Sequence, residues 1–322
     1  MSKDALELIE KVGLLPLVNV SDPDAAIQIA QALSDGGIDV VEVPLRNATA
    51  LESLSAIRRA FPNLLIGAGT VINGAQALSA IEAGADFVVA PGLNPETVKA
   101  CQSKGVAIIP GATTATEIEQ GIALGLDVFK FFPADVCGGL KAINALRGPF
   151  ANVRFVPTGG VSFDNMAPYA ESKAVLAVGG SFITPKDAIA KKDWSAITAA
   201  AQRAVDASLG FTMGHVGINC QNVEEANDAA AKFSRMFRFG QREIDISFFA
   251  GSAVEAMKKP SFGANGHIAI ACNSMKRAIY HLERRGYEFR FFKNNDAGEM
   301  IAAYVTDEIG GFAIHLCVKY KS

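Results

Sequence analysis

The chain has 322 residues, enough for about two domains. Half of them are hydrophobic and a fifth are charged, which suits a globular enzyme with a large core. A net charge of −3 without a basic cluster argues against a nucleic-acid partner. No run approaches the ~18 apolar residues of a membrane span, and Met1–Lys11 alternates like an amphipathic helix without the apolar core of a signal peptide. Five scattered cysteines with no Cys-x-x-Cys pair fit a reduced, cytoplasmic protein.

In chain order, short β-branched runs then alternate with helical patterns. The strand candidates are Leu14–Val20, Val40–Leu45, Leu64–Thr70, Phe87–Pro91, Val106–Pro110, Val128–Pro133, Arg154–Thr158 and Val175–Phe182. Between them lie helical stretches such as Asp24–Gly36 and Ala75–Gly84, several opened by a capping residue and closed by glycine. The runs are apolar throughout, as parallel strands buried on both faces are. Eight such units within about 200 residues predict an α/β fold of the (β/α)8 TIM-barrel type. A doubly wound sheet would want fewer strands and a Gly-rich turn after the first strand, which is missing.

Barrel chemistry sits at the C-terminal ends of strands, and polar or turn residues cluster there. Glu42 and Arg46 follow strand two, Thr70 ends strand three, and Pro91 ends strand four. Thr158, Gly159 and Gly160 close strand seven, while Gly179, Gly180 and Ser181 close strand eight. Those two glycine turns either bind phosphate through backbone N–H groups and a short helix N-terminus or only make tight turns. Lys130 stands inside the apolar run Val128–Pro133. Its flanking phenylalanines offer no counter-charge, which favours the neutral amine, and that amine can attack a ketone to form a Schiff base. The alternative is a strand lysine that snorkels to water. Glu42 and Arg46, four apart on a strand, are expected to share one inward face.

Taken together, Glu42-Val43-Pro44-Leu45-Arg46, Gly67-Ala68-Gly69-Thr70, Phe129–Ala134, Pro157–Gly160 and Gly179-Gly180-Ser181 resemble the class I 2-keto-3-deoxy-6-phosphogluconate (KDPG) / 4-hydroxy-2-oxoglutarate (KHG) aldolases, over residues 5–207. The resemblance implies a lyase of the Entner–Doudoroff type. It would cleave 2-keto-3-deoxy-6-phosphogluconate to pyruvate and glyceraldehyde 3-phosphate, 4-hydroxy-2-oxoglutarate to pyruvate and glyoxylate, or both. Lys130 would carry the Schiff base and Glu42 the general acid/base role. Arg46 and Thr70 would hold the substrate carboxylate, Thr158 a hydroxyl, and Phe132 would wall the pyruvyl end beside Pro91. Gly159, Gly160, Gly179, Gly180 and Ser181 would take the phosphate of a phosphorylated 2-keto acid. No cofactor is implied for the aldolase, and the assembly implied is a homotrimer. Pro44 stands where the phosphogluconate members carry threonine and is similar to relatives acting on the 6-phosphogalactonate epimer, so the epimer stays open. A phosphate-binding isomerase or decarboxylase, with Lys130 as a charge alone, is the competing reading.

Composition shifts near Leu209-Gly210: all four histidines and 11 of the 20 phenylalanines lie beyond residue 210. Domains 1–208 and 209–322 follow. His215–Cys220 recurs as His267–Cys272 at an offset of 52 residues, each copy leading into a helical pattern, Val223–Met236 and then Ser274–Gly286. Each helix is followed by β-rich sequence, Arg242–Met257 and Tyr287–Val318, which makes a repeated βαβββ unit in a smaller α+β domain. Strand alternation puts bulky residues on one face and places His215, Glu255, His267 and His315 among small residues on the other.

This half resembles the vicinal oxygen chelate fold of glyoxalases, whose metal ligands come from the first and last strand of each module. The resemblance implies that His215, Glu255, His267 and His315 hold a divalent metal, with a ligand set that suits Zn, Fe, Ni, Co or Mn. The family ends with glutamate where His315 stands. An empty cup serving as a sensor or assembly module is the alternative. His281, inside a helix, is expected to pack or face solvent.

Overall fold

The computed structural model describes residues 2–319, with side chains from Asp4 onward. The chain divides into two compact units, Met1–Ser208 and Leu209–Ser322. Among the described residues no helix is long and apolar enough to cross a membrane.

The first unit runs strand, helix, strand throughout. Its strands are β1 (Leu14–Pro16), β2 (Val40–Pro44), β3 (Leu65–Gly69), β4 (Phe87–Val89), β5 (Ala107–Ile109), β6 (Val128–Phe131), β7 (Arg154–Pro157) and β8 (Val178–Gly180). All pair in parallel. β2 to β5 form one ladder, β6 pairs with β7, and β8 returns to pair with β1. Single bridges fill the remaining gaps: Leu17 to Glu42, Gly111 to Lys130 and Phe155 to Val175. The eight parallel strands therefore follow one another around a closed, TIM-barrel-like ring. Phe87, Phe129, Phe131 and Phe155 are fully buried, and Phe131 meets Phe155 edge to face at 5.9 Å.

Helix starts carry the expected caps. Asp22 accepts from the N–H of Asp24 ahead of Pro23, and Asn94 accepts from Glu96 ahead of Pro95. Thr114 and Glu117 make a reciprocal capping box. Each cap contributes about 1 kcal/mol and fixes where a βα loop ends. These loops carry the residues that follow each strand.

The second unit contains β9 (Thr212–Asn219), β10 (Gln241–Ile244), β11 (Ser247–Ala250), β12 (Val254–Met257), β13 (Gly266–Cys272), β14 (Phe289–Asn294), β15 (Met300–Ile309) and β16 (Phe312–Val318), with helices Val223–Phe237 and Met275–Arg284. It is two βαβββ modules in one mixed sheet, ordered β10-β11-β12-β9-β13-β16-β15-β14. In each module the first strand pairs in parallel with the last, β9 with β12 and β13 with β16. The modules join where β9 runs antiparallel to β13. Ile218, Cys220, Phe248 and Ala256 pack on Ala226 and Ala230 of the first helix, so the bulky face is the helix face. The other face has a floor of small side chains, Ala269, Ala271 and Cys317.

Candidate active site and candidate metal centre

In the barrel, β6 brings Lys130 and β2 brings Glu42 to one point. The ammonium nitrogen stands 3.4 Å from Glu42 Oε1, with Lys130 only 4% exposed and Glu42 fully buried. The snorkelling alternative does not hold, since the head stays inside. The expectation of no counter-charge is also corrected: the flanking phenylalanines supply none, but the opposite wall supplies a carboxylate. A buried ion pair of this kind keeps both groups away from water until a partner displaces one of them. The second carboxylate oxygen, Glu42 Oε2, is buried without a hydrogen-bond partner, and so is Thr158 Oγ1. Buried polar atoms are normally satisfied, so the orphaned oxygen of the carboxylate that meets the buried lysine is a candidate ligand position.

Small residues make that position possible. A Cβ on Gly69 would collide with the Glu42 carboxylate, and one on Gly179 would collide with Thr158 Oγ1. The Phe132 ring centre lies 5.4 Å from Lys130 Nζ and forms an apolar wall. Arg46 donates from Nε to Thr70 Oγ1 at 3.1 Å. Thr70 adopts φ 58°, a left-handed conformation that costs a non-glycine residue about 1–2 kcal/mol. Strain of this kind persists at sites where the hydroxyl's position matters.

The shared Glu42–Arg46 face needs correcting. β2 ends at Pro44, and Arg46 lies in the following loop, exposed, while Glu42 is buried in the barrel. Strand alternation stops applying two residues before the arginine. Pro91 follows β4 against the Gly111 backbone. Gly159 and Gly160 adopt φ 90° and 79°, which only glycine takes without strain. Gly180 and the exposed Ser181 close β8. The short helix expected there is a single 3-10 turn, Ser181–Ile183.

In the second unit the four singled-out side chains converge on the small-residue face. His215 Nε2 and His267 Nε2 stand 3.2 Å apart, and Glu255 Oε2 lies 3.0 Å from the first and 3.1 Å from the second. This near-equilateral triangle matches the separations of roughly 3–3.4 Å between ligand atoms that share an ion at 2.0–2.1 Å. Nitrogens of His215, His267 and His315 all fall within 4.8 Å of one another. His315 Nδ1 lies 3.0 Å from the Leu316 carbonyl and donates to it, which leaves Nε2 bare; that atom is buried and unpartnered. Burial, with the two neighbouring imidazoles, lowers the His315 pKa to about 4 and keeps the ring neutral. Burial would raise the Glu255 carboxyl, but hydrogen bonds from His215, His267 and Ser247 outweigh it and hold the group well below the carboxylate range. His281 is buried against Tyr280 and packs, and it is not one of the clustered histidines.

Several site residues escaped the sequence analysis. Ser247 donates to Glu255 Oε1 at 2.6 Å, which leaves Oε2 for the histidines. Tyr304 stacks on His315 at 4.6 Å, and Phe249 meets His215 edge-on at 5.6 Å. Their signal was available: alternation along the third and seventh strands of this unit puts them on the face already assigned to the histidines.

The model of the KDPG and KHG aldolase family matches residues 6–200. The 2-dehydro-3-deoxy-phosphogluconate aldolase of Treponema pallidum (strain Nichols) is 45% identical over 197 residues, 61% of this chain and 94% of that one. The KHG/KDPG aldolase of Escherichia coli (strain K12) is 42% identical over 205 residues, 63% of this chain and 96% of that one. Among solved structures, the KDPG aldolase from Legionella pneumophila, with pyruvate captured as a covalent carbinolamine, is 36% identical at a TM-score of 0.61. It is covered over 97% of its length by 62% of this chain. The 2-keto-3-deoxy-6-phosphogluconate aldolase of Zymomonas mobilis ZM4, with 3-phosphoglycerate, is 38% identical at a TM-score of 0.60, over 63% of this chain and 96% of that one.

Proposed function

The chain belongs to the KDPG and KHG aldolase family, and from that premise we infer that its barrel is a class I aldolase with Lys130 as the Schiff-base residue. The observation that carries the reading is the buried Lys130–Glu42 pair, whose carboxylate keeps one unpartnered oxygen. The lysine amine adds to the C2 ketone of the substrate to give a carbinolamine, which loses water to leave an iminium. Glu42 takes the proton from the C4 hydroxyl as the C3–C4 bond breaks, and the electron pair moves into an enamine. The aldehyde leaves; protonation at C3 and hydrolysis then release pyruvate and restore the amine. Arg46 and Thr70 hold the substrate carboxylate, Thr158 orients a hydroxyl, and Phe132 and Pro91 wall the cavity. The Gly159-Gly160 and Gly179-Gly180-Ser181 backbones receive a phosphate. The substrates are 2-keto-3-deoxy-6-phosphogluconate, 4-hydroxy-2-oxoglutarate or both; Pro44, paired with Gly69 at the end of β2, leaves the phosphogalactonate epimer as the second reading. Borohydride reduction in the presence of pyruvate tests the assignment: a stable adduct on the Lys130 peptide supports it, and an adduct on another lysine overturns it. Light scattering tests the trimer that family membership suggests.

We also propose that the two units are separate domains, 1–208 and 209–322, and that the second has the vicinal oxygen chelate fold and holds a divalent metal through His215, Glu255, His267 and His315. The donor chemistry fits: three imidazoles and one carboxylate suit borderline ions of the Zn, Fe, Ni, Co and Mn group, and the bare His315 Nε2 lacks any protein partner. Such an ion would polarise a ligand oxygen as a Lewis acid. Elemental analysis of the full chain beside a His215→Ala/His267→Ala variant tests this. Equal metal content in both would leave the second unit as an empty cup.

A further inference from the structure

The cross-strand pairing breaks the two-fold repeat of the cup in one place. Directly paired residues share a face, so one row across the first module reads Arg242, Phe249, Glu255, Gly217, His267. The matching row across the second reads Phe291, Tyr304, His315, Ala269, His215. Glu255 and His315 are counterparts, as are Phe249 and Tyr304. The outermost pair is not alike, with an arginine at one rim and a phenylalanine at the other. Arg242 lies on the cup face, its guanidinium 4.8 Å from the Phe249 ring centre, and that ring touches His215. It makes no ion pair among the described residues. The other rim arginine, Arg290, sits on Phe262 and is bound to Glu308 at 3.0 Å.

We propose that Arg242 is the anion anchor of the cup, so that the ligand is a small organic dianion with one anionic group on the bound metal and a second on this guanidinium. The inference rests on the metal-holding reading of His215, Glu255, His267 and His315. Two sheet spacings of about 4.8 Å separate the backbones of Arg242 and Glu255, and the guanidinium leans inward over Phe249, so a ligand of one ring's width spans the gap. An arginine held over an aromatic ring, with no ion-pair partner among the described residues, is available for a bidentate carboxylate or phosphate. Phe291 stands at the matching position, and Glu308 occupies Arg290 nearby, which gives the cup one anionic-ligand end rather than two.

The test uses the full chain loaded with Co(II), whose visible absorption reports only on the metal, titrated with benzene-1,3-dicarboxylate and with benzoate. The wild type should bind the dicarboxylate at least five-fold more tightly than benzoate. Arg242→Gln should erase that preference while leaving benzoate within two-fold, and Arg290→Gln should retain it. A preference that survives Arg242→Gln, or that Arg290→Gln removes equally, overturns the assignment of Arg242 with the metal site intact. Failure of the wild-type chain to take up Co(II) overturns the metal reading itself, and this inference with it.

Discussion

Two buried polar centres sit in this chain, and they solve opposite problems. In the barrel a cation and an anion face each other at 3.4 Å, so the charges are matched and a ligand must enter by displacing one partner from the other. In the cup two imidazoles share one carboxylate oxygen, and a third presents a bare nitrogen within 4.8 Å of theirs. The first arrangement suits covalent chemistry by the protein's own amine; the second suits holding something the chain does not contain.

Lys130→Met gives the largest effect. Turnover of 2-keto-3-deoxy-6-phosphogluconate should fall by roughly 10⁴-fold, since the proposed Schiff base needs this amine. Glu42 would also lose its partner, so stability should drop by about 3 kcal/mol and recover when Glu42→Gln is added. A calorimetric melt that fails to recover would mean the pair is not the reason for the loss. In the cup, His215→Ala/His267→Ala should abolish the zinc-induced rise in melting temperature, which for the wild type at a hundred-fold excess over Kd corresponds to about 2.7 kcal/mol. Aldolase turnover should be unchanged in the same variant; a parallel loss would merge the two centres into one.

Smaller changes sharpen the contrast within the barrel. Gly180→Val crowds the turn proposed to receive phosphate, and kcat/KM for the phosphorylated substrate should fall about ten-fold while 4-hydroxy-2-oxoglutarate changes less than two-fold. Equal losses would make that turn merely structural. The weakest effect, a control away from both centres, is Glu117→Gln in the capping box. Burial raises the Glu117 carboxyl, but the N–H groups of Thr113 and Thr114 and the Thr114 hydroxyl outweigh it and lower its pKa. A lowered folded pKa means the stabilisation is present above the carboxylate range and fades as pH falls through it. Wild type should therefore exceed the variant by a few tenths of a kcal/mol at neutral pH, with the gap closing below about pH 4.

The strand pattern and the polar residues that follow the barrel strands were legible because parallel strands buried on both faces are continuously apolar, so each Lys, Glu or Thr stands out against them. What was not legible is pairing across the chain. Nothing local to Lys130 reveals that Glu42, 88 positions earlier, supplies its counter-charge. Arg46 shows the reverse error, since strand alternation was carried past Pro44, where the strand had ended. In the cup, alternation found the four converging positions because each lies on a central strand. It passed over Ser247, Phe249 and Tyr304, whose importance comes from register with those strands.

The junction between β9 and β13 has a consequence of its own. It is an antiparallel seam between two units of like topology, with His215 on one side and His267 on the other. That is the pairing an isologous dimer uses across a two-fold axis. The cup is thus a dimer written into a single chain. Its linkage through residues 258–265 is what lets the halves diverge, and an exact dimer could not place arginine on one rim and phenylalanine on the other. A difference between the two rims is what covalent fusion makes available here.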